Sequence, residues 1–200
     1  PDIKVGPDGT RNAPGAGRMS ILMPPGTYTV KLAVGGQEFS QPLIVKKDPN
    51  SGGTEADINT QHTMMLDLRA DLESGAQMVN QIEFIRSQLE KVTAAKSATD
   101  ALDKKLTDIE DELIQRKLTG QGQDAVRWPP KLLAKISYLA SGLGSGDFGP
   151  TKQQREVQAL LTQQLGVVRQ RLDGVLSQDL TTFNKLLADS NIKTTIKLVP

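Results

Sequence analysis

The stretch TEADINTQHTMMLDLRADLESGAQMVNQIEFIRSQLEKVTAA, residues 54–95, decides the architecture. Ile58, Met65, Leu72 and Val79 recur every seventh residue, Leu68, Ile82 and Leu89 join them three places after heptad positions, and Met78, Ile85 and Val92 then take over the seam. A seven-residue repeat drifts in this way around a nearly straight helix of 3.6 residues per turn. Thr54 or Asp57 is placed to cap the start, with acidic residues in the first turn. The pattern predicts one helix over 54–95, roughly 60 Å long at ~1.5 Å per residue.

Downstream, a break near Ser97 to Thr99 precedes a second apolar stripe, Leu102, Leu106, Ile109, Leu113 and Leu118. TGQGQDAVRWPP, residues 119–130, interrupts it with two glycines and two prolines, and Lys131 to Ala140 predicts a short third helix. SGLGSGDFGP, residues 141–150, reads as a loop, and Thr151-Lys-Gln-Gln154 is a capping box that opens a last long helix. The stripe of that helix runs Val157, Leu161, Leu165, Val168, Leu172, Val175, Phe183 and Leu186. The first and last helices match in length, and the two shorter ones with their loop cover a similar distance. The expected fold is therefore mainly α: an antiparallel bundle of two long helices with an interrupted middle layer, three-helix-like, with a four-helix bundle as the alternative.

Upstream the pattern changes period. Residues 1–25 are dense in glycine and proline and predict an irregular lead-in, with Ile3 to Val5 and Met19 to Met23 as the only short strands. From Thr27, side chains alternate: Tyr28, Val30, Leu32 and Val34 point one way, Thr27, Thr29, Lys31 and Ala33 the other. Gly35-Gly36 supplies a two-residue hairpin turn, which sets Val34 opposite Gln37, Leu32 opposite Phe39, Val30 opposite Gln41 and Tyr28 opposite Leu43. Pro42 cannot donate to a ladder and marks its strand as an edge. The organisation is thus a lead-in over 1–25, a β-hairpin over 26–48, a hinge over 49–54, the bundle over 55–190 and a tail over 191–200 that could add a strand.

Composition narrows function mainly by exclusion. Twenty-four basic and 23 acidic residues leave a net charge of +1, which gives no bulk attraction to nucleic acid. The absence of cysteine removes disulfides, thiolate metal sites and thiol nucleophiles. No apolar run reaches the ~20 residues of a membrane span. Aromatics make up only 4% of the chain, which suits aliphatic seams better than a ring-walled pocket. The chain opens on Pro-Asp-Ile without a methionine, and a piece of a longer protein is the expectation.

Chemistry-bearing residues are sparse. His62, the only histidine, is set aside as the base of a Ser-His-Asp triad, leaves no metal site with more than one imidazole, and reads as a boundary or surface side chain. Asp108, Glu110, Asp111 and Glu112 cluster, and Asp108 and Glu112 share a helix face as paired carboxylates can in glycoside hydrolysis. Lys104, Lys105, Arg116 and Lys117 flank them, and the reading is a solvated, salt-bridged face. The glycines at 142, 144, 146 and 149 lack the Lys-Ser/Thr of a phosphate loop. Trp128, beside Arg127 and Pro129-Pro130, reads as a plug for the interrupted layer, or as an anchor for a protein or carbohydrate surface. No catalytic, cofactor or metal residues are expected. The candidate interaction residues are Tyr28, Val30, Leu32, Phe39 and Trp128.

Taken together, MPPGTYTVKLAVGGQEFSQPLIVKKDP, WPPKLLAKISYLASGL, PTKQQREV and FNKLL resemble the C-terminal region of exported bacterial sortilin-like proteins with Asp-box (BNR) repeat β-propellers, often labelled glycosyl hydrolase-like. The resemblance spans about residues 19–190. It implies a propeller first, then a small immunoglobulin-like β unit of which the hairpin is a remnant, then a closing helical segment. It also implies a periplasmic or extracellular location. The Asp-box pattern Ser-x-Asp-x-Gly-x-Thr-Trp is absent, as is an upstream strand to lie beside Tyr28 to Val34. The expected function is a non-catalytic accessory module that docks on the upstream β-propeller or β-sandwich region of its own chain or on another protein. Self-association is a further expectation. The alternatives are a free-standing helical interaction domain and, third, a glycan-active enzyme.

Overall fold

The structure is a computed structural model that describes residues 3–5, 9–11, 19–118 and 124–198. The remainder of the lead-in, part of the glycine-rich stretch at 119–123 and the end of the tail lie outside the described residues. Two antiparallel hairpins open the chain. Strands β1 (Ile3–Val5) and β2 (Gly9–Arg11) form one; β3 (Gly26–Val34) and β4 (Gln37–Val45) form the other. The β3–β4 register is Val34 to Gln37, Leu32 to Phe39, Val30 to Gln41 and Tyr28 to Leu43, as the alternation and the glycine turn require. Gly35 and Gly36 take φ of 60° and 81°, the left-handed values for which a two-residue hairpin selects glycine. The lead-in differs from its expectation in two places: β2 pairs with β1, and Met19 to Met23 forms no strand. Met19 and Ile21 instead pack as coil against the helical core.

The bundle follows as α1 (Glu55–Leu89), α2 (Lys96–Leu113), the single turn α3 (Asp124–Arg127), α4 (Leu132–Leu143) and α5 (Lys152–Gly174). A π-helical segment (Val175–Asp179) then leads into α6 (Leu180–Asp189). Thr54 caps α1: its hydroxyl accepts from the Asp57 amide and the Asp57 carboxylate accepts from the Thr54 amide. The Thr54 hydroxyl, which also donates to the Asp57 carboxylate at 2.7 Å, and the Thr54 amide together hold that carboxyl below its usual range. Every residue of the predicted α1 seam, from Ile58 to Val92, is buried. The helix nevertheless stops at Leu89, six residues early. Val92 stays buried from the turn beyond it, and Ala95, at φ 56° in the left-handed region, reverses the chain into α2.

Contacts climb α1 while they descend the next two helices. Gln61 of α1 donates to the carbonyls of Leu143 and Gly146. Gly75 sits against Leu133, so close that a Cβ there would lie 2.2 Å from Leu133 Cδ2. Arg86 reaches Asp103 and Glu110. Helices α2 and α4 therefore lie in line as one interrupted layer beside α1. Helix α5 climbs again, with the Thr162 hydroxyl donating to Asp71 at 2.6 Å and Lys105 pairing with Asp179 at 2.7 Å. The interrupted antiparallel bundle is the architecture the helix lengths imply.

Two seams differ from the expected stripes. Leu118 lies past the end of α2 and is exposed. In the last layer Leu161, Leu165, Val168 and Leu172 are buried as expected, but Val157 and Leu186 are exposed, and Leu180 and Leu187 are buried. The π segment is the cause of the change at Leu180, Leu186 and Leu187, which follow it. The Leu180 amide bonds back to the Val175 carbonyl, five residues away, which inserts one residue into the winding and moves the buried stripe from Leu186 to Leu187. The tail forms no strand among its described residues. Asn184 donates to the Ile196 carbonyl at 3.0 Å and accepts from the Ile196 amide at 2.8 Å, and Gln88 makes the same pair of bonds with Lys197. Those side-chain amides take the place of a neighbouring strand and bury Ile196.

Candidate functional site

The β3–β4 hairpin joins the bundle only at its base. Among the described residues neither strand lies against any other element. Val30, Leu32, Val34, Phe39 and Leu43 share one face, and each is about half exposed, Leu32 at 57%. Tyr28 is the exception: it is half-buried, and its hydroxyl donates to the Pro24 carbonyl at 2.6 Å, which pins the start of β3 to the segment before it. The face opposite carries a cross-strand pair, Lys31 with Glu38 at 3.8 Å. Because the pair flanking a two-residue turn is the hydrogen-bonded one, residues 27, 29, 31 and 33 direct their amides away from β4. The matching outer row of β4 is broken at Pro42, which has no amide hydrogen. The open backbone edge of the hairpin is therefore that of β3.

At the hairpin base a cleft of about 410 Å³ opens between the Ser20–Pro25 segment and the start of α1. His62 lies there, with Nδ1 3.1 Å from the Leu22 carbonyl, consistent with a boundary position. Asp48 and Lys47 close the connection: Lys47 Nζ donates to the Ser51 carbonyl at 2.7 Å, and the Asn50 amide to the Asp48 carboxylate at 2.8 Å. Gly53 is buried beside the Asp147 carbonyl, where a Cβ would sit 1.7 Å from that oxygen. No other residue type fits that approach without displacing the loop.

Trp128 stands at the interruption between α2 and α4 and is half-buried, with the Lys117 ammonium 4.4 Å from its ring centroid. Gln115 ties the same place together by donating to the Pro129 carbonyl. Trp128 and the hairpin residues occupy separate parts of the molecule, the interruption of the middle layer in one case and the free ribbon in the other.

The acidic cluster is divided among partners. Asp108 pairs with Lys104 at 2.7 Å, Asp111 with Arg116 at 3.6 Å, and Glu112 with Arg171 of α5. Glu110 departs from the solvated face expected for the group, because it is fully buried. Its Oε2 lies 2.9 Å from Arg86 Nη1 and 3.4 Å from Arg116 Nε, the latter an ion pair without a hydrogen bond, and Oε1 has no partner. Burial, reinforced by the adjacent Glu83 carboxyl, pushes Glu110 up to about 8 against the pull of Arg116 and Arg86. Its position on α2, four residues after Leu106 and three before Leu113, is the signal that could have placed it inside.

Among the described residues no three His, Asp or Glu side chains are grouped to hold a metal ion, and no helix is long and apolar enough to cross a membrane. No protein-family model, curated protein or solved structure matches the chain.

Proposed function

We propose that the chain is a non-catalytic docking module whose β3–β4 hairpin completes a sheet or sandwich supplied from outside these 200 residues. The observation that carries this reading is the apolar face of Val30, Leu32, Val34, Phe39 and Leu43, which no other described element covers. A two-stranded ribbon is marginal in water on its own, and a third strand or a facing sheet is what stabilises it. The resemblance of the PPGTYTV hairpin to exported propeller proteins makes the upstream β region of the same polypeptide the occupant. A periplasmic or extracellular location follows from that resemblance. A free-standing helical interaction domain is the second reading, favoured by apolar residues of α5 that point away from the core.

The test compares amide hydrogen exchange in this chain alone with exchange in the full-length product of its gene. The proposal expects the outward amides of β3, at 27, 29, 31 and 33, to exchange fast in the isolated chain and to be protected in the longer protein. Equal exchange in both would leave the hairpin without an upstream occupant and favour the second reading.

A further inference from the structure

Helix α5 carries two apolar stripes, and only one faces the bundle. Leu161, Leu165, Val168 and Leu172 are buried, whereas Val157, Leu160 and Val167, at helical spacing on an adjacent face, are 43%, 52% and 50% exposed. Leu160 and Val167 form one wall of a cleft of about 540 Å³, with Lys131 and Lys135 on the opposite wall. The cleft is large enough for a row of side chains from a docking partner.

Its charge is one-sided. Neither Lys131 nor Lys135 pairs with a carboxylate among the described residues. Glu112 also lines the cleft, but Arg171 takes its carboxylate. Lys131 is itself the N-cap of α4 and offers no side-chain cap, and the first turn of α4 has no acidic residue. The partial positive charge of that helix end therefore adds to the two ammonium groups. Both walls are helices with internally bonded backbones, so a β-strand would find no ladder here. A partner helix would engage through side chains alone.

We infer that the α4–α5 groove docks an acidic amphipathic helix of a partner protein. Its apolar side chains pack on Leu160 and Val167, and its carboxylates pair with Lys131 and Lys135. A second copy of this chain fits less well: the α5 stripe is bordered by Gln153, Gln163 and Gln164, and its one nearby acid, Glu156, pairs with Lys152 at 3.6 Å. The groove shares no residue with the hairpin, and the inference stands apart from the hairpin reading.

The test titrates the intact chain with two designed 18-residue helical peptides that carry the same leucine stripe, one flanked by glutamates and one by lysines, followed by fluorescence anisotropy. The glutamate peptide should bind at least tenfold more tightly than the lysine peptide. Lys131→Glu with Lys135→Glu should reverse that preference, and Val167→Ser should weaken binding about tenfold, while Leu32→Ser leaves it unchanged. All four positions are at least partly exposed, and circular dichroism checks that each variant stays folded. Binding of neither peptide, equal binding of both, or binding indifferent to the groove substitutions would overturn the inference. So would a micromolar dimer in sedimentation that Leu160→Glu dissociates, since the groove would then belong to a second copy.

Discussion

Leu68 in α1 and Leu32 in β3 are the same residue type on equally regular apolar stripes, yet one is fully buried and the other 57% exposed. The α1 stripe finds cover inside the chain because α2, α4 and α5 bring stripes of the same period to it. The hairpin stripe has period two, and the chain has no other described element placed to match it. An apolar pattern thus records that a face is to be covered, and the rest of the sequence decides whether the cover is internal. The α1 seam is finished in this sense and the hairpin is not.

The contrast can be broken by truncation. Ile85→Ala, in the middle of the α1 seam, should cost about 3–4 kcal/mol in urea unfolding, as buried aliphatic truncations do. Leu32→Ala should stay within ~0.5 kcal/mol in the same experiment, as exposed substitutions do. A comparable loss at Leu32 would mean that the hairpin face is covered in solution and would erase the distinction.

Next in size is the pH response of the bundle's buried acid. The Glu110 carboxyl titrates at about 8 when folded, against roughly 4.3 in an unfolded chain, so the native state keeps a proton the unfolded state has lost between those values. Its contribution to stability is full below about pH 4.3 and is lost as pH rises through 8. At ~1.4 kcal/mol per unit, the roughly three units between pH 5 and pH 8 make the loss across that window up to about 4 kcal/mol, with the pull of Arg116 and Arg86 already contained in the shift. Glu110→Gln mimics the protonated form and should remove this decline. The wild-type advantage at pH 5 relative to pH 8 should shrink in the variant, measured by chemical denaturation at both pH values; an unchanged pH profile would show that Glu110 is ionised in the fold.

The smallest effect sharpens the comparison within the bundle. Thr151 accepts from the Gln154 amide, and Gln154 Oε1 accepts from the Thr151 amide, a reciprocal cap at an exposed helix start. Thr151→Ala should cost about 1 kcal/mol, seen as a lower urea midpoint with an unchanged slope. A loss as large as that of a core truncation would mean that the start of α5 is more deeply packed than its exposure indicates.

Much of this was legible in the residues because it depends on local periodicity. The register of the hairpin, the seam from Ile58 to Val92 and the capping box at Thr151 follow from spacing and cap chemistry alone, whereas at the start of α1 the residues leave Thr54 and Asp57 both open as the cap. The candidate surface was legible to the same degree: alternation identifies which hairpin residues share a face. What it does not say is that the bundle leaves that face open.

Three features were decided only by the tertiary structure. Glu110 is drawn inside because α1 brings Arg86 opposite the apolar face of α2, a pairing 24 residues distant that no local count contains. The stripe of α6 is moved by one residue because the π segment, with Ser177 bonded back to the Asp173 carbonyl and Asp179 tied to Lys105, changes the winding on which the count depends. The tail is held by Asn184 and Gln88 instead of by a strand. In each case side chains from distant helices satisfy polar groups that local rules would assign to water or to a ladder. The sequence by itself therefore determined the elements and their apolar faces. Tertiary packing alone decided which of those faces this chain could cover.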